Sequence, residues 1–83
     1  MQNIVGKRVR EARLKFKPAL SQAELAARLE TDGWKISRGT VAKLEMGDRR
    51  VTDFEVVALA KALKVSTDWL LDKELYEITR KRG

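Results

Sequence analysis

Residues 36–50 read ISRGTVAKLEMGDRR, and the fold turns on how this stretch is built. Ser37 is a residue of N-cap type, whose hydroxyl can accept a first-turn amide that has no partner inside the helix. Val41 and Leu44 follow at a spacing of three and share one helix face. Gly47 stands where the helix should end, and glycine adopts the left-handed C-terminal conformation without steric cost. That leaves Arg38, Gly39, Thr40 and Lys43 on the outer side of a short helix, with nothing in the chain that calls for them.

Downstream, TDFEVVALAKALKV opens with Thr52 and Glu55 in the T-x-x-E spacing of a capping box, in which the hydroxyl and the carboxylate each take a free backbone amide. Val56, Leu59, Ala60 and Leu63 form its inward face. Another helix begins near Ser66 or Thr67 and runs through Trp69 and Leu70, with a pattern that extends to about Arg80. Upstream, LSQAELAARLE repeats the box with Ser21 and Glu24, so a helix starts at Gln22 and turns Leu25, Ala26 and Leu29 inward. Residues 31–35, TDGWK, carry turn residues and no periodicity and read as a connection. From Asn3 to about Phe16, the residues Ile4, Val5, Val9, Ala12 and Phe16 recur every three to four positions, and this helix ends before Pro18. The expectation is an all-α domain of five helices with no strand and no interdomain linker.

At 83 residues the chain has room for one core and little decoration. It contains no cysteine and no histidine, which excludes disulfide staples, zinc-finger ligation and His- or Cys-based catalysis. The carboxylates are scattered over helix surfaces and no glycine-rich phosphate loop occurs, so an enzyme is not expected, nor is a cofactor or metal. No apolar run approaches the roughly 20 residues of a membrane span, and MQNIVGKRVR lacks the apolar centre of a signal peptide; a cytoplasmic protein is expected.

The net charge of +6 is unevenly spread. Residues 1–50 hold twelve Lys/Arg against six Asp/Glu, whereas residues 51–78 hold three against six. A basic N-terminal part suits a polyanion. The major groove of B-DNA, about 12 Å wide, admits a helix and presents a distinct donor and acceptor pattern for each base pair. Helix 3, polar at its start and held from behind by Val41 and Leu44, fits that role.

Four runs, VGKRVREAR, LSQAELAARL, ISRGTVAKLEMGDRRVT and ALAKALKVSTDWLL, resemble in order the Cro/C1-type helix-turn-helix family of phage repressors and xenobiotic-response-element regulators. The resemblance covers about residues 4–71. It implies a five-helix lambda-repressor-like domain, with helices 2 and 3 as the helix-turn-helix. Carried over by position, it implies a phosphate and sometimes base contact for Gln22, base contacts for Arg38, Gly39 and Lys43, a phosphate contact for Thr40, and a loop along the DNA backbone for Arg49 and Arg50; Ser37, the cap, is counted with these DNA-binding residues. It also implies an internal ion pair between Arg13 and Glu45. The family's turn between helices 2 and 3 is shorter than the ETDGWKIS found here, so the turn is lengthened, and Met46 stands where an Asn is common. The implied function is a transcriptional regulator, a repressor in its simplest form. An antitoxin-type module of the same fold, whose main partner is another protein, is the alternative. Beyond the resemblance, Leu71, Leu75 and Ile78 keep an i, i+4, i+7 stripe that suits a homodimer contact.

Overall fold

Four helices start in the same way in the computed structural model, which describes residues 1–71. The hydroxyls of Ser21, Ser37, Thr52 and Ser66 accept the amides of Glu24, Thr40, Glu55 and Trp69 at 3.0, 3.1, 3.2 and 3.0 Å. Two of the four close the reciprocal half of the box, with the Ser21 and Thr52 amides donating to the carboxylates of Glu24 and Glu55 at 3.0 Å each. The helices they open are α2 (Gln22–Thr31), α3 (Arg38–Glu45), α4 (Asp53–Leu63) and α5 (Thr67–Leu70). All described secondary structure is helical.

The first helix, α1 (Gly6–Lys15), is shorter than its periodicity suggests. Ile4 and Val5 follow the apolar pattern, and Val5 is buried, but residues 3–5 lie outside the helix. The reason is a side chain: Oδ1 of Asn3 accepts the Gly6 amide at 2.8 Å, which turns the chain before the helix instead of continuing it. Gly6 itself has a packing role. A Cβ there would collide with the Leu44 carbonyl oxygen, so only glycine lets α1 lie this close to the end of α3.

The core gathers Val5, Val9, Ala12, Leu20, Leu25, Leu29, Val41, Leu44, Val56, Leu59, Leu63 and Leu70 from the segment before α1, all five helices and the α1–α2 connection. Leu25, Leu29, Leu44 and Leu70 lose all contact with solvent. Each such side chain contributes roughly 1.5–3 kcal/mol through removal of its surface from water. Trp34 and Trp69 are half-buried and pack against this core from its edges. The Trp69 ring also forms a platform for the cations of α1, with the Arg8 guanidinium 4.4 Å and the Lys15 ammonium 5.2 Å from the ring centroid.

The connection between α2 and α3 covers residues 32–37, one residue later than expected at its start because Thr31 completes α2. Gly33, at φ +96°, makes the turn, and the Asp32 and Gly33 amides cap the end of α2 on Leu29 and Glu30 carbonyls. Trp34 then returns its own amide to the Leu29 carbonyl at 2.9 Å, so the lengthened connection is folded back on α2. At the far end of α3, Gly47 takes φ +79° and closes the helix as its position requires. The stripe residues Leu75 and Ile78 lie outside the described residues, as does any continuation of α5 toward Arg80. Leu71 is described and is 43% exposed.

Candidate nucleic-acid interface

The sequence of α3 divides it into two faces, and the packing follows. Val41 and Leu44 are buried against α1 and α2, while Ser37, Arg38, Gly39 and Lys43 are exposed and Thr40 is half-exposed. The Ser37 and Thr40 hydroxyls hydrogen-bond each other at 2.9 Å, which orders the first turn.

Two features of this turn have no explanation among the described residues. The first turns of α2, α4 and α5 carry acids (Glu24; Asp53 and Glu55; Asp68), as the positive end of a helix dipole favours, whereas those of α1 and α3 carry none, and α3 begins with Arg38. The Arg38 side chain makes no ion pair or hydrogen bond among the described residues. Gly39 is equally unexplained: a Cβ added there would meet nothing nearer than the Ser37 hydroxyl at 3.9 Å, and its backbone is helical, so neither packing nor a left-handed φ demands glycine. A helical glycine costs up to about 1 kcal/mol relative to alanine, and no contact among the described residues offsets it.

Behind α3 a buried polar cluster sets its position. Arg13 of α1 meets Glu45 through two parallel bonds, Nε to Oε2 at 2.7 Å and Nη2 to Oε1 at 2.9 Å. Its Nη1 donates to the Leu20 carbonyl at 2.9 Å, which ties in the α1–α2 connection. Hydrogen bonding to Glu45 raises the pKa of Arg13 further above its ordinary value, so the guanidinium stays charged. Gln22, the first residue of α2, donates its Nε2 to Glu45 Oε1 at 3.1 Å. The half-buried Gln22 side chain therefore bridges to the scaffold as well as edging the outer face, a link that reading by position did not reveal.

The loop after α3 separates its two arginines. Arg49 grips Glu55 with Nη1 and Nη2 at 2.9 and 3.0 Å, donates to the Arg50 carbonyl at 2.8 Å, and sits 5.6 Å from the Trp34 ring centroid. The hydrogen bond with Glu55 raises the Arg49 pKa, and the same contact holds the Glu55 carboxyl below its usual value, helped by the Thr52 amide. Arg50 is exposed and its side chain makes no such bond among the described residues. Reading by position treated the pair as equivalent; the capping-box Glu55 was the available sign that a nearby arginine would be claimed.

A hollow of about 440 Å³ between α1, α4 and α5, lined by Phe16, Leu63, Val65 and Trp69 among others, includes none of these residues. Among the described residues no group of three His, Cys, Asp or Glu side chains could hold a metal ion, and no helix is long and apolar enough to cross a membrane. The family model described as helix-turn-helix matches residues 9–70. No curated protein and no solved structure matches the chain.

Proposed function

The chain belongs to the helix-turn-helix family, of the Cro/C1 type, whose domains bind DNA, and from that premise we propose that it is a sequence-specific regulator of transcription, a repressor that occludes a promoter. The observation that carries this reading is the outer turn of α3, where Arg38, without a partner among the described residues, and a Gly39 that no described contact requires stand beside exposed Ser37 and Lys43. An arginine at the positive end of a helix and a glycine without a packing role both make sense against a polyanion that approaches closely.

On this reading α3 enters the major groove. Arg38 and Lys43 meet base edges, Gly39 lets the backbone come near, and Thr40 with the Ser37 turn meets phosphate. Gln22 donates the second proton of its amide to phosphate while the first holds Glu45. Arg50 and the Nε–H of Arg49, which bonds to none of the described residues, follow the DNA backbone beyond the groove. Two copies, joined through Leu71, Leu75 and Ile78, set two α3 helices about 34 Å apart on a pseudo-palindromic operator. Selection of bound duplexes from a random DNA library tests the reading. Enrichment of a single inverted-repeat motif is expected, with affinity that falls by a log–log salt slope of about four or more, since each phosphate contact contributes about 0.9. Recovery of no motif, with binding flat in salt, would reject it.

A further inference from the structure

Residues 2 and 3 reach across the molecule to the far end of α3. The Asn3 amide nitrogen Nδ2 lies 3.1 Å from the Leu44 carbonyl and 2.7 Å from the Arg49 carbonyl, so its two protons join the last turn of α3 to the loop that follows. The Gln2 amide donates to the Gly47 carbonyl at 2.8 Å, between those two points. On its other side Asn3 accepts the Gly6 amide, and Gly6 is the residue whose missing side chain allows α1 to meet Leu44.

One side chain thus satisfies three backbone groups and fixes the angle between α3 and residues 47–50. Helix ends expose carbonyls that need partners, and here the partner comes from more than 40 residues away. Arg49 is held twice, its carbonyl by Asn3 and its guanidinium by Glu55. The next side chain, Arg50, is left exposed from a backbone clamped on the residue before it.

We propose that Asn3 is a positioning residue for DNA: it makes no contact with the duplex but sets where Arg50 meets the phosphate backbone relative to α3. The inference rests on the DNA-binding reading above. Lost preorganisation of a contact is read as lost affinity, and a phosphate contact registers in the salt slope as well.

The test uses two uncharged variants of the full chain. Asn3→Ala removes all three bonds, whereas Asn3→Ser keeps an oxygen near the Gly6 amide and is too short to bridge the two carbonyls. Binding to the selected operator is measured at a temperature where circular dichroism finds wild type and both variants folded. Both variants are expected to bind roughly tenfold more weakly. They are expected to lose about 0.9 from the salt slope for each bound copy, the share of one phosphate contact. In an Arg50→Ala background, Asn3→Ser is expected to cost little more. A lower melting temperature with unchanged affinity and salt slope would make Asn3 a stabilising residue only and overturn the proposal. Equal penalties of Asn3→Ser with and without Arg50 would overturn it too. Wild type that binds no DNA would defeat the DNA reading and this role with it, whereas wild type that binds alongside unaffected Asn3 variants overturns this role alone.

Discussion

Arg13 and Glu45, 32 residues apart in sequence, form a two-bond ion pair at 2.7 and 2.9 Å, with side chains 9% and 3% exposed. It fixes α1 to α3, and with Gln22 and the Leu20 carbonyl attached it leaves no buried side-chain polar atom unpaired among the described residues. Burying two charges gains little over an apolar pair, but removing one partner strands the other. Arg13→Ala or Glu45→Ala should therefore each destabilise the domain by about 3–5 kcal/mol. The double variant should cost clearly less than the sum, which urea unfolding of the four-protein cycle measures. Arg13→Lys should not restore stability, because an ammonium cannot make the paired bonds.

The Arg49–Glu55 pair predicts a pH dependence. Glu55 has a lower pKa folded than unfolded, chiefly through its hydrogen bond with Arg49, so the folded state binds fewer protons as the group titrates. Its contribution is fully present above the unfolded carboxylate's value of about 4.3 and is lost as the pH falls through the lower folded value. Glu24, lowered by the Ser21 amide, acts in the same direction. Glu55→Gln should cost about 1 kcal/mol near neutrality, the scale of a capping interaction with a partly exposed ion pair. The gap between wild type and variant should narrow steadily below about pH 4. Unfolding midpoints across that range check it; a gap constant with pH would remove Glu55 as its source.

The helices were readable in sequence because their signals are local. Ser21 with Glu24, and Thr52 with Glu55, lie three residues apart, and the first turn of a helix brings such pairs together whatever surrounds it. The outer face of α3 was readable for the same reason, since Val41 and Leu44 determine which side is left over. Asn3 was read as helical because Ile4 and Val5 extend the apolar period, and its true partners are 41 and 46 residues distant. The claims on Gln22 and Arg49 were equally hidden: which donor reaches a carboxylate depends on how whole helices pack. Arg13 and Glu45 became legible only through resemblance, as nothing in their spacing joins them.

Arg38, the longest donor at the exposed start of α3, should read a guanine through two parallel hydrogen bonds. Arg38→Ala should cost roughly 1–3 kcal/mol on the selected operator and relax preference at one base pair. Arg50→Ala should weaken binding to operator and random DNA alike. Titration of each variant against both duplexes separates the two roles, and an equal loss on both for Arg38 would make it a phosphate contact.

The proposed dimer contact can be tested through Leu75, at the centre of the i, i+4, i+7 sequence stripe that begins at the exposed Leu71. Leu75→Lys should yield folded monomers that bind a full operator little better than a half-site. If the variant melts lower and keeps the oligomeric state of wild type in sedimentation, the stripe serves its own domain. Wild type that sediments as a monomer at tens of micromolar, and binds a half-site as tightly as the full operator, would remove the dimer altogether.

Gly39 sets stability against binding. Its helical backbone and the open space around its missing Cβ mean that alanine fits without displacement of any neighbour. Alanine also narrows the unfolded ensemble and favours the helix, so Gly39→Ala should stabilise the isolated domain by a few tenths to about 1 kcal/mol. The same methyl group would project from the face proposed to meet DNA, at the turn shared by Arg38 and Thr40. Where the backbone lies within contact distance of the duplex, a group of that size forces the helix outward and lengthens the hydrogen bonds of its neighbours. Operator affinity should then fall by about 1 kcal/mol or more, near fivefold. Thermal melting and operator titration on the same preparation decide the matter. A variant that melts higher and binds as tightly as wild type would mean that the helix backbone stands off from the DNA at residue 39, leaving recognition to the longer side chains of Arg38 and Lys43.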